Sequence, residues 1–270
     1  MKHTLIIALV LFVVACKSPK EDATLPTPST PTPNAVATAP LNFHLHPYIG
    51  ENEVDAYNIV YHTTDGRKMS LSMAQVFLSE IELVKFDGSI YAVKDTVLLA
   101  HIAQQVYSLG NVPVGNYRTI RFKAGIVPAV NAKVPSGTSG PLNNQSMWFS
   151  TPAQANNYVF MNCSGKIDTT KAKTSTDAEM VSFTYKIGAN PQLKQIIMPN
   201  QTFAVQPNAT TYVHMLADYS VLFNGVDLKN YNNMNITTSE QNAWPDNGQA
   251  WPIAVTVADN IVNLFRYENE

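Results

Sequence analysis

The residues best suited to chemistry are histidines. His44 and His46 stand two apart in Leu41-Asn42-Phe43-His44-Leu45-His46. On a strand, that spacing sends both imidazoles from one face, opposite Phe43 and Leu45. An imidazole pair suits copper, zinc or nickel. Two ligands alone hold an ion modestly, so the pair reads either as a solvated surface pair or as part of a metal site. Convergence with another His or Met decides for metal. His214, between Val213 and Met215, faces either solvent or a site, while His62 and His101 stand isolated. Met147, Met161 and Met215 offer soft sulfur, but methionine in a strand also fills cores.

A second constellation is Trp244-Pro245-Asp246-Asn247-Gly248-Gln249-Ala250-Trp251-Pro252. Trp244 and Trp251 in such a loop either plug an end of the fold or expose rings for stacking. The exposed case gives the alternative function, a cell-surface carbohydrate- or protein-binding lipoprotein without a metal. The acidic loops at Asp227 and Asp246 lack the regular oxygen-ligand spacing of an EF-hand. There is no nucleophile elbow, phosphate-binding glycine loop or HExxH motif. Asp95, Asp218 and Asp227 have no evident partner that would make one a general base. The chain is therefore expected not to be an enzyme, with no catalytic residue. With 18 Lys and Arg against 20 Asp and Glu and a formal net charge of -2, and with no basic cluster, nucleic acid is excluded as a partner.

The N-terminus places this chemistry outside the cytoplasm. Lys2 and His3 lead into an apolar run from Leu5 to Val14, followed by Ala15 and Cys16. The run is too short to span a bilayer and has the form of an export signal. Val13-Val14-Ala15-Cys16 is similar to a lipobox, so residues 1–15 are expected to be a signal peptide and Cys16 the lipidated residue that anchors the chain to a membrane. Lys17 is not an inner-membrane retention aspartate, which favours the outer membrane, facing either the periplasm or the cell surface. Glu21-Asp22 is similar to the surface-export signals of Bacteroidetes-type lipoproteins. Residues 16–40, with Pro26, Pro28, Pro31, Pro33 and Pro40 among Thr and Ser, should form a semi-rigid tether. With Cys16 lipidated, Cys163 has no disulfide partner and is expected to be a buried, inert thiol.

Residues 41–270 must position the histidines, and their dominant signal has period two. Strands are expected from Leu41 and at Tyr57 to Thr63, Met73 to Phe86, Val97 to His101, Gln105 to Leu109, Tyr117 to Ile126, Tyr158 to Lys166, Val181 to Ile187, Leu193 to Met198 and Thr211 to Phe223. Turns fall at Asp65-Gly66, Asp87-Gly88 and Gly115-Asn116. Many strands without long interleaved helices predict a mainly β fold, an antiparallel β-sandwich of Greek-key-like form. Ile253, Val257, Ile261 and Leu264 predict a short C-terminal helix over about Val255 to Tyr267, its apolar stripe covering an edge or open end of the sheets. Pro113 and Gly115 set a bend after which Tyr117 should seat its ring in the core and its hydroxyl on the backbone. Ser79 should bond across to a neighbour.

Several of these segments together resemble a known family. Asp65-Gly66, Met69-Ser70-Leu71 and Val76-Phe77-Leu78-Ser79-Glu80-Ile81-Glu82-Leu83-Val84 are similar to a strand of the MbnP-like domain. Val112-Pro113-Val114-Gly115-Asn116-Tyr117, Ile120-Arg121-Phe122 and Gly125-Ile126 resemble its next turn and strand. Asn131, Met147-Trp148-Phe149, Tyr158-Val159-Phe160, Gly165 and Phe183-Thr184-Tyr185-Lys186-Ile187-Gly188 follow in the same order. The resemblance implies an extracytoplasmic lipoprotein, with copper bound in the family's best-known members. In some members a tryptophan oxidised by a dihaem peroxidase-type partner becomes associated with the metal, and Trp148 falls in the corresponding segment. The family often has histidine before its isoleucine-glycine pair, where this chain has Lys186.

Overall fold

The computed structural model describes residues 36–149, 155–238 and 250–268. The first strand shows why the sequence folds as it does. In β1 (Thr38–Ile49) Leu41, Phe43, Leu45 and Ile49 are buried while Asn42, His44, His46 and Tyr48 are half-buried on the other face. The same alternation drives most of the strands that follow: β2 (Asn52–Glu53), β3 (Val60–His62), β4 (Lys68–Lys85), β5 (Ile90–Ala92), β6 (Val97–His101), β7 (Val106–Pro113), β8 (Gly115–Ala124), β9 (Val159–Ile167), β10 (Val181–Gly188), β11 (Lys194–Ile197), β12 (Phe203–Val205), β13 (Thr211–Asp218), β14 (Asn235–Thr238) and β15 (Phe265–Tyr267).

Two sheets form. The smaller runs β15-β13-β1-β2, with β7 also pairing β1; the larger runs β11-β8-β4-β9-β10-β14, with β3, β5 and β6 on β4 and β12 on β8. Their inner faces meet, with the Phe43 ring 6.2 Å from Phe122 and Phe122 5.1 Å from Phe265, centroid to centroid. β4 is the spine of the larger sheet. It pairs with β9 through its first half and β8 through its second, and its register against β8 shifts between Ser79 and Glu82, where Glu80 takes a φ of 46°. Such a bulge bends a strand and deepens its twist, and one of the two sheets curls into a half-barrel.

The antiparallel expectation is corrected. β1 pairs β13 in parallel and β10 pairs β14 in parallel, so both sheets are mixed and the Greek-key-like antiparallel sandwich does not hold. Period-two burial reports which face a residue takes and carries no strand direction, which is why the pattern could not show this. The closing helix is also displaced. α2 spans Ala250–Asn260, a 3-10 turn covers Ile261–Asn263, and Phe265–Tyr267 is a strand antiparallel to β13. Val257, Ile261 and Leu264 are still buried along one side, because a 3-10 turn continues a helical stripe for one more step. The helix packs on the edge strand β14. The expected strand to Phe223 ends at Asp218, whose carboxylate accepts from Ser220 N at 3.0 Å and caps a 3-10 turn over Tyr219–Phe223. The other α-helix among the described residues, α1 (Pro128–Asn131), is a single turn. Among the described residues no helix is long and apolar enough to cross a membrane.

Two local expectations hold. Tyr117 has no exposed surface and its hydroxyl donates to Pro113 O at 2.6 Å. The buried Ser79 hydroxyl donates to Gly125 O at 2.8 Å.

Candidate functional site

The outer face of the smaller sheet carries the site. In the parallel β1–β13 ladder His44 lies directly opposite His214. Paired residues share a face and residues two apart on one strand do too, so His44, His46 and His214 are bound to leave the sheet together. They do. Each offers a ring nitrogen, and these atoms lie within 4.8 Å of one another. The His44 ring is 4.2 Å from His46 and 4.7 Å from His214, centroid to centroid, and His46 and His214 are stacked at 19°. All three are half-buried, with Tyr212 edge-on to His44 at 6.4 Å.

Two carboxylates complete the surroundings. Glu53 on β2 stands opposite Tyr48, and its Oε1 lies 2.7 Å from His46 Nδ1 while also accepting from Gln105 Nε2 at 2.8 Å. A carboxylate only accepts, so His46 donates from Nδ1, and in the neutral ring the lone pair is then on Nε2. That Nε2 is buried and has no hydrogen-bond partner. A buried nitrogen with an unused lone pair, aimed at other imidazoles, fits a metal ligand whose far side is held by a carboxylate. Glu268, just after β15, donates its backbone N–H to His214 O, and its Oε2 lies 3.6 Å from both His46 Nε2 and His214 Nδ1.

Electrostatics agree with a ligand role. Burial first, and then the neighbouring His46 and His214, hold His44 below the ordinary imidazole value, against a Gln105 hydrogen bond and Glu268. His44 is thus neutral near pH 7, the form that coordinates a metal. Burial, with Glu268 and Glu53 close by, pushes the Tyr48 phenol up.

The other sequence-predicted residues lie elsewhere. Trp148 belongs to a separate hydrophobic cluster with Phe77, Met147, Tyr158 and Phe160, and its Nε1 donates to Leu142 O at 3.0 Å. Met147, Met161 and Met215 are fully buried in the interior. His62 is exposed on β3 and His101 is half-buried at the end of β6. Cys163 is buried, and burial pushes its thiol well up, as an inert thiol requires. Cys16 and Trp244 lie outside the described residues. Trp251 falls in α2, where the structure describes the backbone but not the side chain. Glu53, Gln105 and Glu268 were missed in the sequence. The nearest signal was the acidic C-terminal run after Tyr267, which patterning alone treats as a solvated tail.

Comparison with known proteins then places the chain. The family model described as MbnP matches residues 38–239, a span that holds all three histidines. The solved structure of MbnP from Methylosinus trichosporium is similar in fold, with a TM-score of 0.50 at 14% identity, covering 70% of this chain and 78% of that one. No curated protein sequence matches the chain. With a mainly β, two-sheet fold, a three-histidine cluster able to hold a metal ion, and a family match over most of its length, the chain belongs to the MbnP family.

Proposed function

We propose that this chain is an extracytoplasmic lipoprotein that binds a transition metal, copper first among them, at His44, His46 and His214. The observation that carries this is the convergence of three ring nitrogens within 4.8 Å, among them a buried His46 Nε2 with no hydrogen-bond partner. When bound, copper would supply redox or carrier chemistry. The protein's own part is to keep His44 neutral, fix the His46 tautomer through Glu53, and hold both strands in register.

An extracytoplasmic location is supported by the family and by the export-type N-terminus. Lipid on Cys16, attachment to the outer membrane and a Bacteroidetes-type origin are finer parts of the proposal and rest on the N-terminal sequence. The family resemblance further suggests a dihaem peroxidase-type partner acting on Trp148. Such a partner would meet Trp148 where it packs against Phe77, Met147, Tyr158 and Phe160. We read the protein as a binder and not an enzyme.

The test is a titration of the full chain with Cu(I) and with Cu(II), each against a competing chelator, beside a His44→Ala/His46→Ala double variant. One-to-one binding that disappears in the variant is the expected result. Equal binding by both proteins would remove the site from the imidazoles.

A further inference from the structure

The family match stops at residue 239, yet one polar group at the cluster comes from beyond it. Glu268 reaches the histidines because β15 pairs antiparallel with β13, Tyr267 opposite Met215, which carries the next residue alongside His214. Its Oε2 is equidistant, at 3.6 Å, from His46 Nε2 and His214 Nδ1. Ligands about 2.0–2.1 Å from an ion at the centre of a tetrahedron are about 3.3–3.4 Å from one another. The separations around Glu268 are therefore close to two edges of such a tetrahedron, needing only a small contraction.

From this, resting on the metal-binding reading above, we infer that Glu268 is a fourth ligand. The site becomes a three-histidine, one-carboxylate centre for a divalent cation, Zn2+ or Cu2+, in preference to Cu(I). The donor chemistry argues the same way. Thioether and thiolate select Cu(I), while imidazole with a carboxylate suits harder divalent ions. The soft donors named above are all turned away: Met215, beside His214 in sequence, is fully buried on the opposite face, and Cys163 is buried in the core. Glu53 bonds the far side of His46, so one carboxylate orients a ligand while the other is free to be one. The single ionised ligand also offsets part of the charge of a divalent ion, a benefit that a monovalent ion needs less.

The experiment measures competitive affinities of the full chain for Zn2+, Cu2+ and Cu+, with the Cu2+ EPR spectrum, for the native sequence, Glu268→Gln, Glu268→Ala and His46→Ala. Circular dichroism checks that each variant is folded, and Glu268→Gln keeps the side chain's size. The expected result is tight one-to-one binding of both divalent ions by the native chain. Both Glu268 variants should weaken them at least ~10-fold and alter the Cu2+ spectrum, with Cu+ affinity little changed. Divalent binding that both Glu268 variants retain, while His46→Ala abolishes it, would overturn the role of Glu268 and leave the histidine site standing. Equal losses for Cu+ and the divalent ions would overturn the selectivity. If the native chain binds none of the three ions and His46→Ala changes nothing, the metal reading itself fails and this inference falls with it.

Discussion

Removing the Glu53 carboxylate is the sharpest test of how the cluster is prepared. Glu53 Oε1 sits 2.7 Å from His46 Nδ1 and 2.8 Å from Gln105 Nε2, on a half-buried part of the sheet. A hydrogen bond to a charged group contributes about 1.5–3 kcal/mol, and loss of such an outer partner typically weakens metal binding by about 10–100-fold. At roughly 1.4 kcal/mol per tenfold, that range corresponds to about 1.4–2.8 kcal/mol, so the two estimates agree. Glu53→Ala should therefore bind Zn2+ or Cu2+ about 10–100-fold more weakly than the native chain. Glu53→Gln keeps an acceptor for Nδ1–H but loses the charge, and should fall between them. Calorimetric titration near pH 7 gives the affinities. Nitrogen NMR of the metal-free protein gives the mechanism, since Nδ1–H is the expected tautomer of His46 and should be lost from dominance in Glu53→Ala. Native affinity in Glu53→Ala, or an Nε2–H tautomer of His46 in the native protein, would refute the reasoning.

The hairpin that presents Glu53 turns at Gly50, whose φ is 62° and where an added Cβ would lie 2.7 Å from His62 O. Gly50→Ala should cost at least about 1–2 kcal/mol in urea unfolding and weaken metal binding as well; an unchanged midpoint would show that the turn relaxes freely. Tyr117→Phe removes the hydroxyl bonded to Pro113 O and should cost about 1–2 kcal/mol in thermal or urea unfolding, while a neutral result would make that bond incidental. Ile261→Asp puts a carboxylate where the side chain is buried beneath the end of α2 and should destabilise by about 4 kcal/mol or more; unchanged stability would remove Ile261 from the core. For Asp168, burial opposes ionisation but is outweighed by hydrogen bonds from Thr170 and Ser175, so its carboxyl is held down at about 2. Because the folded value lies below the unfolded one, its stabilisation is present above about pH 4 and is lost as pH falls toward 2. Urea unfolding across that window should show a smaller acid loss in Asp168→Asn than in the native chain, and equal losses would assign the acid sensitivity to other groups.

What the sequence made legible, and what it hid, follows from which physical signals act locally. Alternation along one strand acts locally, so the shared face of His44 and His46 and the buried face of Phe43 and Leu45 could be read directly. Strand direction and register do not. His214 was visible as a histidine in a strand, but its place opposite His44 depends on a parallel pairing between segments far apart in the chain, and parallel strands are joined by crossovers that leave no turn signature between them. Glu53 belongs to a two-residue strand, too short for any period to show. Glu268 was hidden by a different cause. Val257, Ile261 and Leu264 continue a helical stripe through a 3-10 turn, and extending that helix to Tyr267 would rotate the residues after it by about 100° each. In the observed strand, Phe265 and Tyr267 instead alternate with Arg266, which fixes the backbone of Glu268 against His214. A single change of period, from helix to strand after Leu264, thus decides whether the Glu268 carboxylate hangs in solvent or stands beside His46 and His214. That makes the short strand β15 as much a part of the site as the strand that carries the two histidines.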